Sequence, residues 1–204
     1  MMTRITFLIS ILFFLVPSVF SQAKTDNSDY QKHFIGSTFF MIANLAPNPP
    51  NYYQLNYGYR VSPKDVVSIE AITWEYGAPL GIPFGADKSN KVNDFSGKVQ
   101  AYGIGLAYKR FIWKGAYSAI HSTIFHQNYL DADRKKIQSG FQLFNTLRFG
   151  YQLKLFKNRL FIEPSIAVTY WPINTNLPES FQVKEDKWPN YFIFEPGLHF
   201  GVSF

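Results

Sequence analysis

Charged side chains make up only 17% of this chain, so those set inside apolar runs stand out. Glu163-Pro164 and Glu195-Pro196 each follow two apolar residues, and Arg60, Glu70, Arg148, Lys154 and His199 have comparable surroundings. Set against Arg60, Arg148 and Lys154, the carboxylates Glu70, Glu163 and Glu195 could form an enclosed network of opposite charges that gates a passage, or one that neutralises itself and fills a narrow core. The filled core is the better match, because a barrel of the eight strands counted below leaves an interior just wide enough for side chains. A proline supplies no ladder hydrogen bond, so each Glu-Pro should mark a bulge or a slot in a strand where no donor is needed.

Other constellations are weaker. His121 and His126 are five apart in a strand-like stretch, which puts them on opposite faces, and no carboxylate cluster has a recognised metal spacing. No metal and no cofactor are expected. Cysteine is absent, which removes disulfides, thiolate ligands and a cysteine nucleophile. "YGIG" at Tyr102–Gly105 has the start of a glycine loop but lies within a strand pattern with no helix after it. The net charge of +6 is spread along the chain rather than clustered with stacking aromatics, so nucleic acid is not an expected partner.

The elements that must position these side chains are strands. Eight candidates are Phe34–Leu45, Tyr52–Val61, Val66–Tyr76, Lys98–Ile112, Ala116–Gln127, Ser139–Phe156, Arg159–Trp171 and Tyr191–Phe204. The gaps between them alternate. "SPKD", "WKG" and "KN" are tight hairpin connections, while "APNPPN" and the segments around 77–97, 128–138 and 172–190 are longer. Short turns on one side and long loops on the other describe an up-and-down sheet.

Side-chain parity is an independent signal, since successive strand residues face opposite ways. The last strand puts Phe192, Phe194, Leu198, Phe200, Val202 and Phe204 on one face and Glu195, Gly197, His199 and Gly201 on the other. The strand before it sets Leu160, Ile162, Ile166 and Val168 against Glu163, Ser165, Ala167 and Thr169. The sixth sets Leu147, Phe149 and Leu153 against Arg148, Gly150 and Gln152, with Asn145 interrupting its apolar face. Strands two, three and four sort as well, and strands one and five do not. A two-residue turn at Lys157-Asn158 pairs Phe156 with Arg159 and therefore brings the two polar faces together; a one-residue slip would expel Arg148 and Glu163.

The polar faces carry few charges and many Gly, Ala and Ser residues, which suits a narrow interior better than a water-exposed surface. Tyr52, Tyr53, Trp74, Tyr76, Trp113, Tyr170, Trp171 and Tyr191 lie toward strand ends, where interfacial girdles are expected. The expected fold is all-β, an eight-stranded antiparallel up-and-down transmembrane β-barrel over residues 34–204. Residues 1–21, with Arg4 ahead of an apolar run broken by Pro17, read as a secretory signal, and 22–33 as a polar connector. The apolar Phe204 is expected to belong to the closing strand, held against the first.

In these features the chain resembles the small outer-membrane β-barrel proteins of Gram-negative bacteria, and stretches such as "FIEPSIAVTYWPINTN" and "DKWPNYFIFEPGLHFGVSF" look like an uncharacterised family of them. The resemblance implies residence in the cell outer membrane as a monomer, contact with its lipid and lipopolysaccharide, and delivery by the barrel-assembly machinery. It carries no activity. The expected role is non-enzymatic, structural or surface-interacting, with loops 77–97 and 172–190 as surfaces for an extracellular partner and a polar network of Arg60, Glu70, Arg148, Lys154, Glu163, Glu195 and His199 plugging the lumen. A narrow solute channel is the transport alternative. A lipid A deacylase-like hydrolase is the catalytic one, and it fails on the residues: His121 and Ser122 are adjacent and so point apart.

Overall fold

The computed structural model describes residues 31–77, 97–187 and 189–204. The proposed signal, nearly all of the connector, most of loop 77–97 and Trp188 therefore lie outside the described residues. The rest is an antiparallel, all-β, up-and-down sheet of nine strands: β1 His33–Thr38, β2 Tyr53–Arg60, β3 Asp65–Gly77, β4 Lys98–Trp113, β5 Ala116–Leu130, β6 Lys136–Tyr151, β7 Leu153–Leu155, β8 Leu160–Asn174 and β9 Tyr191–Ser203. Each of β2 to β5 pairs with the strand before and after it, β1 also pairs with β9, and β6 also pairs with β8. The sheet thus returns on itself as a ring, and the chain's last residue is held in it: His33 N donates to Phe204 O and Phe204 N to His33 O, each at 2.9 Å.

The ninth strand comes from a proline. Gly150 faces Ser165 in the β6–β8 ladder and Leu153 faces Ile162 in β7–β8, so one register runs through both, with Tyr151 opposite Pro164. A proline has no N–H to give, and there the ladder breaks, dividing the expected sixth strand into β6 and β7. The Lys157-Asn158 turn holds that register as anticipated, through left-handed φ values at Phe156, Lys157 and Asn158.

Three differences from the sequence reading have local causes. The expected first strand, Phe34–Leu45, stops at Thr38; a 3-10 segment, Phe39–Leu45, follows, with the Thr38 hydroxyl capping Phe40 N. Loop 172–190 contains a short helix, α1 (Glu179–Glu185), which begins after Pro178 and buries Phe181. A register shift in β8–β9 places Ala167 opposite Glu195 but Thr169 opposite Phe192, so Phe192, assigned by parity to the outer apolar face, packs inside against Trp171 at 5.2 Å.

Elsewhere parity sorts the faces as anticipated. Leu55, Ile69, Ile104, Leu106, Leu147, Phe149, Val168, Leu198 and Val202 are exposed on the outside of the ring. The strands that were ambiguous resolve too: Phe34 faces in and Ile35 out, while Tyr117, His121, Thr123 and Phe125 face in and Ile120 and Ile124 out. Asn145, the polar interruption on the outer face of β6, accepts from Ser122 at 2.9 Å. Inside, glycine makes room for rings: a Cβ on Gly58 would lie 1.9 Å from the Phe34 ring, and one on Gly201 2.3 Å from that of Phe161.

Candidate interior site

The interior is layered. At the turn end, Phe34 and Phe161 meet edge to face at 5.5 Å, beside the buried cluster of Val66, Phe111, Tyr117 and Ala119. Above them, Lys109 Nζ donates to both oxygens of Glu163, at 2.6 and 2.8 Å. Gln152 donates to the same carboxylate at 2.8 Å, and Lys109 also lies 4.4 Å from the Tyr117 ring centre. A buried carboxylate is tolerated when its lone pairs are filled and its charge is matched, and Glu163 meets both conditions.

The next layer holds Arg148, which donates to Glu195 Oε1 at 2.9 Å and to the Ser165 hydroxyl at 3.0 Å. Across the ring, Glu70 accepts from Gln54 at 2.7 Å and from Thr123 at 3.1 Å. These groups, with His121 and His199, form the floor of a cavity of about 900 Å³ whose walls are aromatic: Tyr52, Trp74, Tyr76, Phe125, Phe144 and Phe192 among them. Phe144 stacks on Trp171 at 6.1 Å with planes 12° apart. Over the far end sits α1, its Phe181 packed on Tyr129 at 5.5 Å and clustered with Val99. Burial pushes the Glu185 carboxyl on α1 up from its ordinary value, partly offset by a hydrogen bond from Asn174.

The expected network of seven residues is thus divided among separate layers. Glu163 pairs with Lys109, Arg148 pairs with Glu195, and Glu70 is held by neutral donors. His199 stands opposite Glu163 in the β8–β9 register and lines the chamber. Arg60 and Lys154 are at the turn-end rim beside a small crevice that also touches Gln152 and Ser203; Arg60 donates to Pro63 O and covers the Phe111 ring.

Two features were missed. Lys109 carries the inward parity of Gly103, Gly105 and Ala107, and following that alternation two residues further would have found it. The aromatic chamber was hidden by the girdle expectation: Tyr52, Trp74, Tyr76 and Trp171 line or pack the interior, whereas Tyr53, Trp113, Tyr170 and Tyr191 are exposed. Trp74 and Tyr76 share the parity of Glu70, and Trp171 that of Glu163, so alternation was the better guide. No family model, no curated protein and no solved structure matches the chain.

Proposed function

We propose that this chain is a monomeric outer-membrane β-barrel of eight staves, β6 and β7 forming one of them, with a plugged interior and a non-enzymatic, structural or surface-interaction role. The observation that carries the reading is the distribution of faces around a sheet whose first and last strands pair. Apolar side chains such as Leu106, Ile124, Phe149 and Val202 stand exposed on the outside, while Glu163 and Arg148 are buried within. A water-surrounded barrel has the opposite arrangement, and a sheet in hydrocarbon has to close because its backbone groups find no other partners there. Lipid and lipopolysaccharide are then its neighbours, the assembly machinery its route in, and loops 77–97 and 172–190 its candidate contacts with an outside partner.

Two details favour a plug over a conduit and over a hydrolase. Between the chamber and the turn-end crevice stand the Phe34–Phe161 pair and the Lys109–Glu163–Gln152 layer, and eight strands leave an interior that side chains fill. Ser122 is on the outer face, bonded to Asn145, whereas its neighbour His121 is among the chamber residues.

The test is fractionation of the expressed chain with heat-dependent gel mobility, followed by planar-bilayer recording. Recovery only in the outer membrane, a heat-modifiable band and no unitary conductance are expected. A soluble protein, or steps abolished by Arg148→Ala or Glu195→Gln, would refute the proposal.

A further inference from the structure

The ring has a gap. Pairing of β1 with β9 ends at Thr38↔His199, yet β9 extends back to Tyr191 with β8 as its one paired strand there among the described residues. The 3-10 segment that follows β1 stays against β9 at its start, where Phe39 packs on Phe200 at 4.7 Å, and its far end turns to the residues that lead into β2. Asn44 and the Tyr52 backbone exchange hydrogen bonds of 2.7 and 2.9 Å, and the Ser37 hydroxyl donates to Gln54 O at 2.6 Å. Among the described residues, the hydrogen bond nearest the gap on the β9 side is the 3.1 Å contact from the Thr38 hydroxyl to Leu198 O.

The exposed edge is adapted to lacking a partner. Phe204 bonds to β1 while Ser203 donates to Arg159 on the β8 side, so by alternation the even residues of β9 turn their backbone groups toward β1. Past Leu198 the next such residue is Pro196, which has no N–H to leave unsatisfied. Irregular backbone at membrane depth is tolerated only where it is buried in protein or lines a water-filled cavity, and a cavity lies behind this edge: Thr38 and Phe40 on one lip, and Pro196 and Leu198 on the other, belong to the chamber lining. Phe40 and Leu198 are at the same time exposed, and Leu198 has the outward parity of Phe200 and Val202. Among the described residues, α1 with its fully buried Phe181 lies over the loop end and the Lys109–Glu163 layer blocks the turn end.

We infer that the chamber binds a long-chain neutral amphiphile that enters sideways from the surrounding hydrocarbon, between the 3-10 segment and the upper half of β9. The inference rests on the membrane reading proposed above. Its chemistry follows from the lining. The aromatic walls around Trp74, Phe125 and Phe144 suit an apolar chain, and the volume of about 900 Å³ is ample for one. The floor is polar, but its charges are already engaged: Arg148 with Glu195, and Glu70 with Gln54 and Thr123. A hydroxyl or ester end can hydrogen-bond there without a counter-charge, whereas an ionised carboxylate would meet Glu70 and Glu195.

The probes are pyrenyl-decanol and pyrenyl-decanoate, whose pyrene accepts energy from Trp74 in the chamber wall. The chain has no cysteine of its own, so Phe40→Cys and Ile124→Cys each create a single attachment point on an exposed side chain. One is at the lip and the other on the intact outer face of β5. In the full chain inserted in vesicles, saturable transfer to pyrenyl-decanol is expected. A bulky maleimide on Phe40→Cys should weaken it about ten-fold or more, and the same label on Ile124→Cys should leave it unchanged. Non-saturable transfer, equal loss from both labels, or tighter binding of pyrenyl-decanoate would overturn the inference. Vesicle insertion assayed separately distinguishes the failures: a protein that inserts without binding loses the chamber's role alone, while one that stays soluble without detergent loses the membrane reading and this inference with it.

Discussion

Lys109→Met is the perturbation whose cost the interior fixes most tightly. Lys109 and Glu163 have side-chain exposures of 14% and 5%, so solvent screens their attraction little, and the contact distance is 2.6 Å. At an effective dielectric near 20 such a contact corresponds to about 6 kcal/mol of attraction. Most of it offsets the cost of removing both ions from water, so removing only the lysine leaves Glu163 desolvated with Gln152 and Tyr117 as its remaining partners. Loss of one member of a buried pair costs roughly 3–5 kcal/mol, and the lost contact of the ammonium with the Tyr117 ring adds about 0.5–2 kcal/mol. The double variant Lys109→Met with Glu163→Gln contains no uncompensated ion. It should recover most of the loss, falling within about 2 kcal/mol of the parent, because a buried pair replaced as a pair is often neutral. Reversible urea unfolding of the folded protein, followed by tryptophan fluorescence, measures all corners of the cycle. If Lys109→Met costs less than about 1 kcal/mol, or if the double variant is as unstable as the single one, the Glu163 layer is not held by charge compensation as argued.

Two further outcomes follow from local geometry. Pro164→Ala supplies the missing donor opposite Tyr151; it should join β6 and β7 into one ladder, giving a slowly exchanging amide at position 164 by hydrogen–deuterium exchange, with a net stability change within about 1 kcal/mol because the new bond is offset by the freer unfolded chain. Burial raises the Glu185 carboxyl in the folded state, so its contribution to holding α1 is present below the ordinary carboxylate range and lost as pH rises through the raised value; exchange at Phe181, corrected for the intrinsic pH dependence, should therefore quicken toward neutral pH, and Glu185→Gln should flatten that trend.

How much of this was legible in the sequence depended on which signal was followed. Alternation is a property of the backbone itself, and it located the inner face of six strands together with Glu70, Arg148, Glu163, Glu195 and His199. The tight Lys157-Asn158 turn then fixed how two of those faces meet. Alternation failed only where the backbone gains a residue, as at the β8–β9 shift that turns Phe192 inward, because a bulge leaves no mark in a run of aromatics such as "YFIF". The 3-10 segment was illegible for a related reason: "FFMIANL" is as apolar as a strand, and what stops β1 is the Thr38 cap, a choice between two local hydrogen-bonding patterns that composition does not decide.

The aromatic chamber was harder to read because Tyr and Trp near strand ends fit an interfacial girdle as well as an interior wall, and parity alone separates the two. With the chamber in place, the Glu-Pro pairs take different meanings. Both prolines fulfil the expectation of a slot without a donor, but they occupy different kinds of slot. Pro164 faces Tyr151, where the ladder breaks between two segments of one stave and resumes at once. Pro196 faces the gap above Thr38, where the ladder never resumes. The same two-residue motif therefore interrupts a wall in one place and borders an opening in the other. The side chain beside each proline differs accordingly: Glu163 is saturated by Lys109 and Gln152 in the sealed layer, whereas Glu195, on the chamber floor, is bound by Arg148 and remains about a third exposed at its side chain. That exposure follows from the cavity volume beside Glu195, which lines the chamber, and the neighbouring Arg148 keeps the acid neutralised there.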